Sequence, residues 1–281
     1  MNTDSLLSPP SAHTDPLDFS LADRLPARPA GQGRLIIGAA PQDDRPGLLF
    51  VPGAYHGAWC YAHYLDYFAR AGLACAALDL RGHGALPQDD SFTSASIADL
   101  GQDVSGALDA LARPTVVVGH SMGALPALLA ASQRTMAGVV LLAPSPPGDL
   151  PGAQALPPVP EGAPRHAPNH NEIRARFLAT SPDRDVASVS QRLCAESPQV
   201  LNDRYLLRVP VDAAAIDAPG LCLEAGLDTH DRHPPGQDLA IARRFGFSHA
   251  VLAGQPHCMM YADQWQASAA AILEWHRGQF G

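Results

Sequence analysis

One serine in this chain sits where a nucleophile would. Gly119-His120-Ser121-Met122-Gly123 follows an apolar run, 115–118, and precedes a helical one, 124–131. A serine on a sharp strand-to-helix turn is held at strained dihedrals, so small residues two positions away on either side avoid clashes. The turn presents Oγ at the sheet edge beside a helix N-terminus, where developing negative charge is favoured. The Met122 amide can then face an oxyanion. The plainer use of Ser121 is a helix N-cap, but the covered strand before it and the helix after it favour the nucleophile. A serine needs a base, and the base needs an orienting acid. Among twelve histidines, His257 lies in Gly254-Gln255-Pro256-His257, after the last strand and before the last helix. In a parallel sheet that loop returns to the edge that carries Ser121. His83 and His120 flank other motifs. His13, His166, His170, His230 and His233 lie in polar stretches and are read as solvated, and His249 as packed or bonded to backbone. For the acid, Asp228 falls just past the strand 220–224; Asp231 is its rival, and Glu224 is read as still within the strand.

These residues require elements that bring them to one edge. Strands are expected at 35–38, 48–51, 74–78, 115–118, 138–142, 220–224 and 250–252, several of them continuous apolar runs as in a sheet covered on both faces. Helices are expected at 58–71, 96–112, 122–134, 237–245 and 263–277. The second has apolar residues at helical spacing and a Ser96-Ile97-Ala98-Asp99 capping box. Strands alternating with helices of this length predict an α/β fold with a doubly wound, mostly parallel sheet. The stretch 144–168 breaks the alternation with nine prolines in 25 residues, too many for a helix interior or central strand. Helical pieces at 172–179, 186–195 and 199–207 follow it. The division expected is an N-terminal arm or leader at 1–33, a core at 34–144 and 216–281, and a small Pro-rich helical cap at 145–215.

Composition removes other chemistries. All 19 basic side chains of the 281 residues are arginines, so no lysine can form a Schiff base, hold a phosphate or act as a base. The net charge of −9 disfavours nucleic acid and anionic membrane surfaces. Five cysteines without a CxxC pair are read as reduced thiols. No signal peptide or membrane-length apolar run is apparent, so the expected location is cytoplasmic. Neither zinc-ligand spacing nor a dinucleotide fingerprint is present, so no metal or cofactor is expected. The N-terminal arm makes a homodimer an expectation.

With these residues in place the sequence resembles the α/β-hydrolase superfamily over roughly residues 34–280. The resemblance rests on the Gly119–Gly123 elbow, on Leu78-Asp79-Leu80-Arg81-Gly82-His83-Gly84 after a strand, on the turn 226–228 and on the late His257. The order Ser121, Asp228, His257 is that of the superfamily. Val51-Pro52-Gly53-Ala54-Tyr55-His56-Gly57-Ala58-Trp59-Cys60 is similar to the HGAxHGAWCW loop of plant methyl-ester esterases and hydroxynitrile lyases, with Pro52 in place of the usual histidine. The resemblance implies that Ala54 joins Met122 in the oxyanion hole and that Tyr55 and Trp59 line or support the pocket. Arg81 and His83 are expected to hold their turn together.

The function expected is a serine esterase acting through an acyl-enzyme on a small or medium, largely apolar carboxylic ester, or on a thioester. A cyanohydrin lyase would need a lysine that this chain lacks. A cofactor-free dioxygenase using His257 and Asp228, or a ligand receptor, remains as an alternative. Arg174 and Arg176 are read as a solvated helix face, and the cap offers no arginine that sequence assigns to a substrate carboxylate.

Overall fold

Apolar runs such as Val116-Val117-Val118 need cover on two sides, and the sheet they form is sandwiched between helices. The structure, a computed structural model, describes residues 15–281. Among these, eight strands form one sheet: β1 Ala27–Ala30, β2 Gly33–Ala39, β3 Gly47–Val51, β4 Cys75–Asp79, β5 Thr115–His120, β6 Gly138–Leu142, β7 Gly220–Ala225 and β8 Ser248–Leu252. Their spatial order is β1-β2-β4-β3-β5-β6-β7-β8. β1 and β2 pair antiparallel, as do β2 and β4, and the pairings from β4 to β8 are parallel. The helices are α1 Ser20–Arg24, α2 Ala62–Arg70, α3 Ile97–Leu111, α4 Ala124–Gln133, α5 His170–Glu172, α6 Ala187–Ser190, α7 Pro198–Tyr205, α8 Gln237–Phe245 and α9 Trp265–Phe280.

Side chains on a strand alternate between faces. Leu48 and Phe50 of β3 pack with Tyr64 and Phe68 of α2 and Ile272 of α9. Leu49 and Val51 point the other way, into a core with Leu100 of α3, Leu125 of α4 and Ile241 of α8. The capping box forms at α3: Ser96 Oγ accepts the Asp99 amide at 3.2 Å, and the Ser96 amide donates to the Asp99 carboxylate at 2.9 Å. All five cysteines are free thiols. No helix among the described residues is long and apolar enough to cross a membrane.

Three expected elements come out differently. The stretch expected as an arm ends earlier than residue 33: Leu17, Phe19 and Ala22 are buried in the core, and β1 is the sheet's first strand. Pro29 hides that strand in the sequence, and an edge strand tolerates it. Residues 1–14, His13 among them, lie outside the described residues. The helix expected at 186–195 is the single turn α6, because the Cys194 amide donates to the Tyr55 carbonyl at 3.0 Å instead of continuing a helix. The helix expected at 172–179 starts at α5 and runs into a π-helical turn, Ile173–Leu178. The proline-rich stretch is tied to α7 by Asn202, whose side chain accepts the Val159 amide at 2.8 Å and donates to the Val159 carbonyl at 3.1 Å.

Candidate active site

The strand order reverses around β3, so the loops leaving β3 and β5 meet at the C-terminal edge of the sheet, where α/β folds open a crevice. Ser121 follows the last residue of β5 and has φ +52°, a left-handed conformation that side chains rarely adopt. Close packing around the turn accounts for its glycines. A Cβ on Gly123 would lie 2.3 Å from the Pro52 carbonyl oxygen, and one on Gly119 would lie 2.8 Å from Ala124 Cα.

His257 arrives on the loop after β8. Its Nε2 is 2.9 Å from Ser121 Oγ, and its Nδ1 donates to Asp228 Oδ2 at 2.5 Å. Asp228 also accepts the Thr229 amide, at 2.8 Å. Burial alone would raise the Asp228 pKa, but the His257 charge and hydrogen bond, with help from His233, hold it below the usual carboxylate value. The two aspartates are clearly separated, with the Asp228 side chain 8% exposed and that of Asp231 72% exposed. Asp231 faces Arg232, and Glu224 turns to His249 at 2.9 Å. Ser121, His257 and Asp228 thus come together, while Asp231 and Glu224 stay apart from them.

Ala54 and Met122 line the same cavity as Ser121 and His257. Met122 is in the first turn of a helical segment, where amides have no intrahelical acceptor. The Ala54 amide has no hydrogen-bond partner among the described residues. Behind it stands His56, which sequence reasoning did not single out. Its Nδ1–H donates to the Ala54 carbonyl at 2.8 Å, and its Nε2 accepts from the Tyr261 hydroxyl at 2.8 Å. Burial lowers the His56 pKa to about 4, which keeps the ring neutral as this bonding requires. Tyr55 lines the cavity, whereas Trp59 does not. Trp59 is instead stacked on His56 with ring centroids 5.4 Å apart and edge-on to Phe19 at 4.7 Å.

Other groups escaped the sequence reading because tertiary contacts place them. His120 donates from Nε2 to the His257 carbonyl at 2.9 Å and so fixes the loop that carries the imidazole. Glu196, just before α7, is buried and accepts the Tyr55 amide and His83 Nε2, each at 3.0 Å. It clamps the strained Tyr55, φ +69°. The only sequence clue to this clamp was His83 within its glycine turn. His233, expected in solvent, lies 3.6 Å from Asp228 and 3.8 Å from Asp238. Its loop folds back because the Arg232 and His233 amides both donate to the Thr229 carbonyl. Asp228, His233 and His257 bring metal-ligand atom types within 4.8 Å of one another, but hydrogen bonds to Asp228 and Ser121 engage both nitrogens of His257. Arg176, expected on a solvated face, lines the cavity.

The cavity at Ser121 has a volume of about 70 Å³. Tyr55, Leu156, Arg176, Tyr205 and Arg232 also line an adjoining outer cleft of about 570 Å³.

The profile described as "Alpha/beta hydrolase family" matches residues 48–271, and the chain belongs to that family. Among solved structures it is similar to a methylesterase, MES16, from Arabidopsis, with 22% identity and a TM-score of 0.65 over 82% of this chain and 98% of the other. It is also similar to the thioesterase domain from the curacin biosynthetic pathway, at 18% identity and a TM-score of 0.63, covering 89% of this chain and 98% of the other. Tomato methylketone synthase I, complexed with 2-tridecanone, is similar at 16% identity and a TM-score of 0.66, covering 84% of this chain and 99% of the other. No curated protein matches the sequence significantly. At these identities the structural likeness is one of fold.

Proposed function

We propose that the protein is a serine hydrolase that cleaves a carboxylic ester, or by the same chemistry a thioester, through an acyl-enzyme. The hydrogen-bonded chain Ser121–His257–Asp228, beside the Ala54 and Met122 amides, carries this reading. His257 Nε2 takes the Ser121 proton as Oγ bonds to the carbonyl carbon. The carbonyl electron pair moves onto oxygen, where the Ala54 and Met122 amides hold the oxyanion. Collapse of the tetrahedral intermediate breaks the bond to the leaving alcohol or thiol, which departs with the proton from His257. A water then gives a proton to His257 as it attacks the acyl carbon. The acid is released, and the proton returns to Ser121. Asp228 fixes the imidazole tautomer and offsets its charge in both halves of the reaction.

A fluorophosphonate probe and a panel of esters of graded acyl length test this. The wild type is expected to label and to hydrolyse, and Ser121→Ala to lose labelling and at least about 10³-fold in kcat. Undiminished turnover in Ser121→Ala would overturn the reading and leave His257 with Asp228 as the working pair.

A further inference from the structure

Three arginines line the cavity around Ser121: Arg176 and Arg204 from the cap, and Arg232 from the loop after Asp228. Two of them have partners. Arg232 donates to the Tyr205 hydroxyl at 2.8 Å and lies over that ring, and Arg176 is 3.7 Å from Glu172. Arg204 stands alone. Among the described residues its guanidinium makes no hydrogen bond or ion pair, and its Nη1 is closed off from solvent without an acceptor. Only 5% of the residue is exposed.

A guanidinium in that position is strongly unfavourable unless something pairs with it. Burial lowers the Arg204 pKa to about 10, with Tyr205 opposing and Arg232 adding to the effect, so the group remains cationic at neutral pH. The acids nearest to it in sequence are engaged elsewhere. Asp203 accepts from the Ile97 amide at 3.1 Å and from Gln199 at 2.6 Å. Glu196 accepts from Tyr55, His83 and its neighbour Ser197. The cavity's own carboxylate, Asp228, faces His257. Nor is α7 free to turn Arg204 outward: the Ser197 side chain caps its N-terminus, and Asn202 is bonded to Val159. Of the three arginines at this cavity, Arg204 alone has no acidic partner among the described residues.

We propose that Arg204 binds a carboxylate on the substrate, so that the ester cleaved here is an anionic one with its carboxylate a few carbons from the scissile carbonyl. The planar fork of a guanidinium matches a carboxylate in two hydrogen bonds, and a cavity of about 70 Å³ suits a short carbon chain between the two groups. The inference rests on Ser121 as nucleophile, and it replaces the largely apolar substrate expected from sequence. Arg232 and Arg176 lie where the cavity meets the outer cleft and face acids there, Asp231 at 3.9 Å and Glu172 at 3.7 Å, so Arg204 is the arginine of the three left for the substrate.

The test compares esters matched in shape and differing in charge. Monomethyl succinate, glutarate and adipate are set against methyl butanoate, pentanoate and hexanoate for a carboxylate on the acyl side. Acetoxyacetate is set against propyl acetate for one on the alcohol side. At least one anionic ester is expected to exceed its neutral partner about 10- to 100-fold in kcat/KM, mostly through KM. In Arg204→Met that ratio falls to about one, and Arg204→Lys restores part of it. Arg204→Met also unfolds cooperatively at a higher Tm than wild type, because a buried unpaired charge has been removed. Free glutarate or succinate raises the Tm of wild type but not that of Arg204→Met.

Equal turnover of charged and neutral esters by the wild type would overturn the proposal, as would an anionic preference that survives in Arg204→Met. Fluorophosphonate labelling and neutral-ester hydrolysis without anionic preference would leave the hydrolase reading standing and remove this one. Arg204-dependent dicarboxylate binding with neither labelling nor hydrolysis would remove the hydrolase reading, and with it the anionic ester as substrate, and leave Arg204 as a carboxylate-binding site alone.

Discussion

For individual residues, the atoms that face each histidine nitrogen decide its charge. His83 presents Nδ1 to the Arg81 carbonyl at 2.8 Å and Nε2 to Glu196 at 3.0 Å. Both partners accept, so both nitrogens must donate and the ring is cationic. Burial opposes that charge, but the charge and hydrogen bond of Glu196 outweigh it and raise the His83 pKa above 6.5. A raised histidine stabilises the fold fully below its unfolded value and loses that contribution as pH rises through the folded value. His83→Asn should therefore cost about 3–5 kcal/mol at pH 6 by urea unfolding, with the gap to wild type narrowing toward pH 9. A gap that is constant with pH would mean that His83 is neutral. Asp228 and Asp231 make a second contrast. Asp228→Asn should lower kcat by about 10⁴-fold by leaving His257 in the wrong tautomer, whereas Asp231→Asn, altering an exposed side chain, should stay within about twofold. The reverse result would reassign the acid. That Ser121, His257 and Asp228 meet at one sheet edge could be anticipated from sequence because strand ends and chain order constrain them. Arg204 could not, since its place in the cavity depends on which face of α7 the Ser197 and Asn202 contacts turn inward.

The elements divide in the same way between local and tertiary control. The β3 and β5 runs and the start of α3 were legible because a continuous apolar run and a capping box are local signals. Both β1 and the segment after α6 were hidden, one by Pro29 at a sheet edge and the other by a backbone bond from Cys194 to Tyr55. The helix expected from residue 122 shows a finer form of this. Its first turn is a 3₁₀ segment, Ser121–Gly123, because the chain must leave β5 against the Pro52 carbonyl before α4 can begin. That close approach makes the meeting of the β3 and β5 loops intolerant of bulk. Gly123→Ala would set its new Cβ against the Pro52 carbonyl, so it is expected to destabilise the fold by about 1–3 kcal/mol and to depress kcat by displacing the Ala54 loop. Differential scanning calorimetry and ester turnover together check this, and an unchanged Tm would show that the two loops can separate.

Across the whole molecule, the interior keeps several imidazoles neutral, and acid stability should reflect this. His56 and His120 are both buried. Desolvation lowers the first to about 4 and, with the charge of His257 adding to it, takes the second well below its usual value. In the unfolded chain both return to about 6.5. Below that pH the unfolded chain gains protons that the folded one refuses, so stability falls as pH drops, by about 1.4 kcal/mol per pH unit for each proton. For His56 alone the descent from 6.5 to about 4 amounts to roughly 3 kcal/mol. His83, with the opposite shift, contributes almost no slope near pH 5, where its proton is bound in both states. Asp228 acts at still lower pH: its carboxyl is held below 3.8, so its contribution is present above that value and lost as pH falls through the folded one. The free energy of urea unfolding should accordingly be greater at pH 7 than at pH 4.5, with a slope near pH 5 from these two rings of about two protons taken up on unfolding. His56→Asn should reduce that slope by about one proton, an effect that loss of packing alone would not produce. A flat profile between pH 6 and 4.5 would show instead that water reaches these rings, and that the Ala54 loop is not held by a neutral His56.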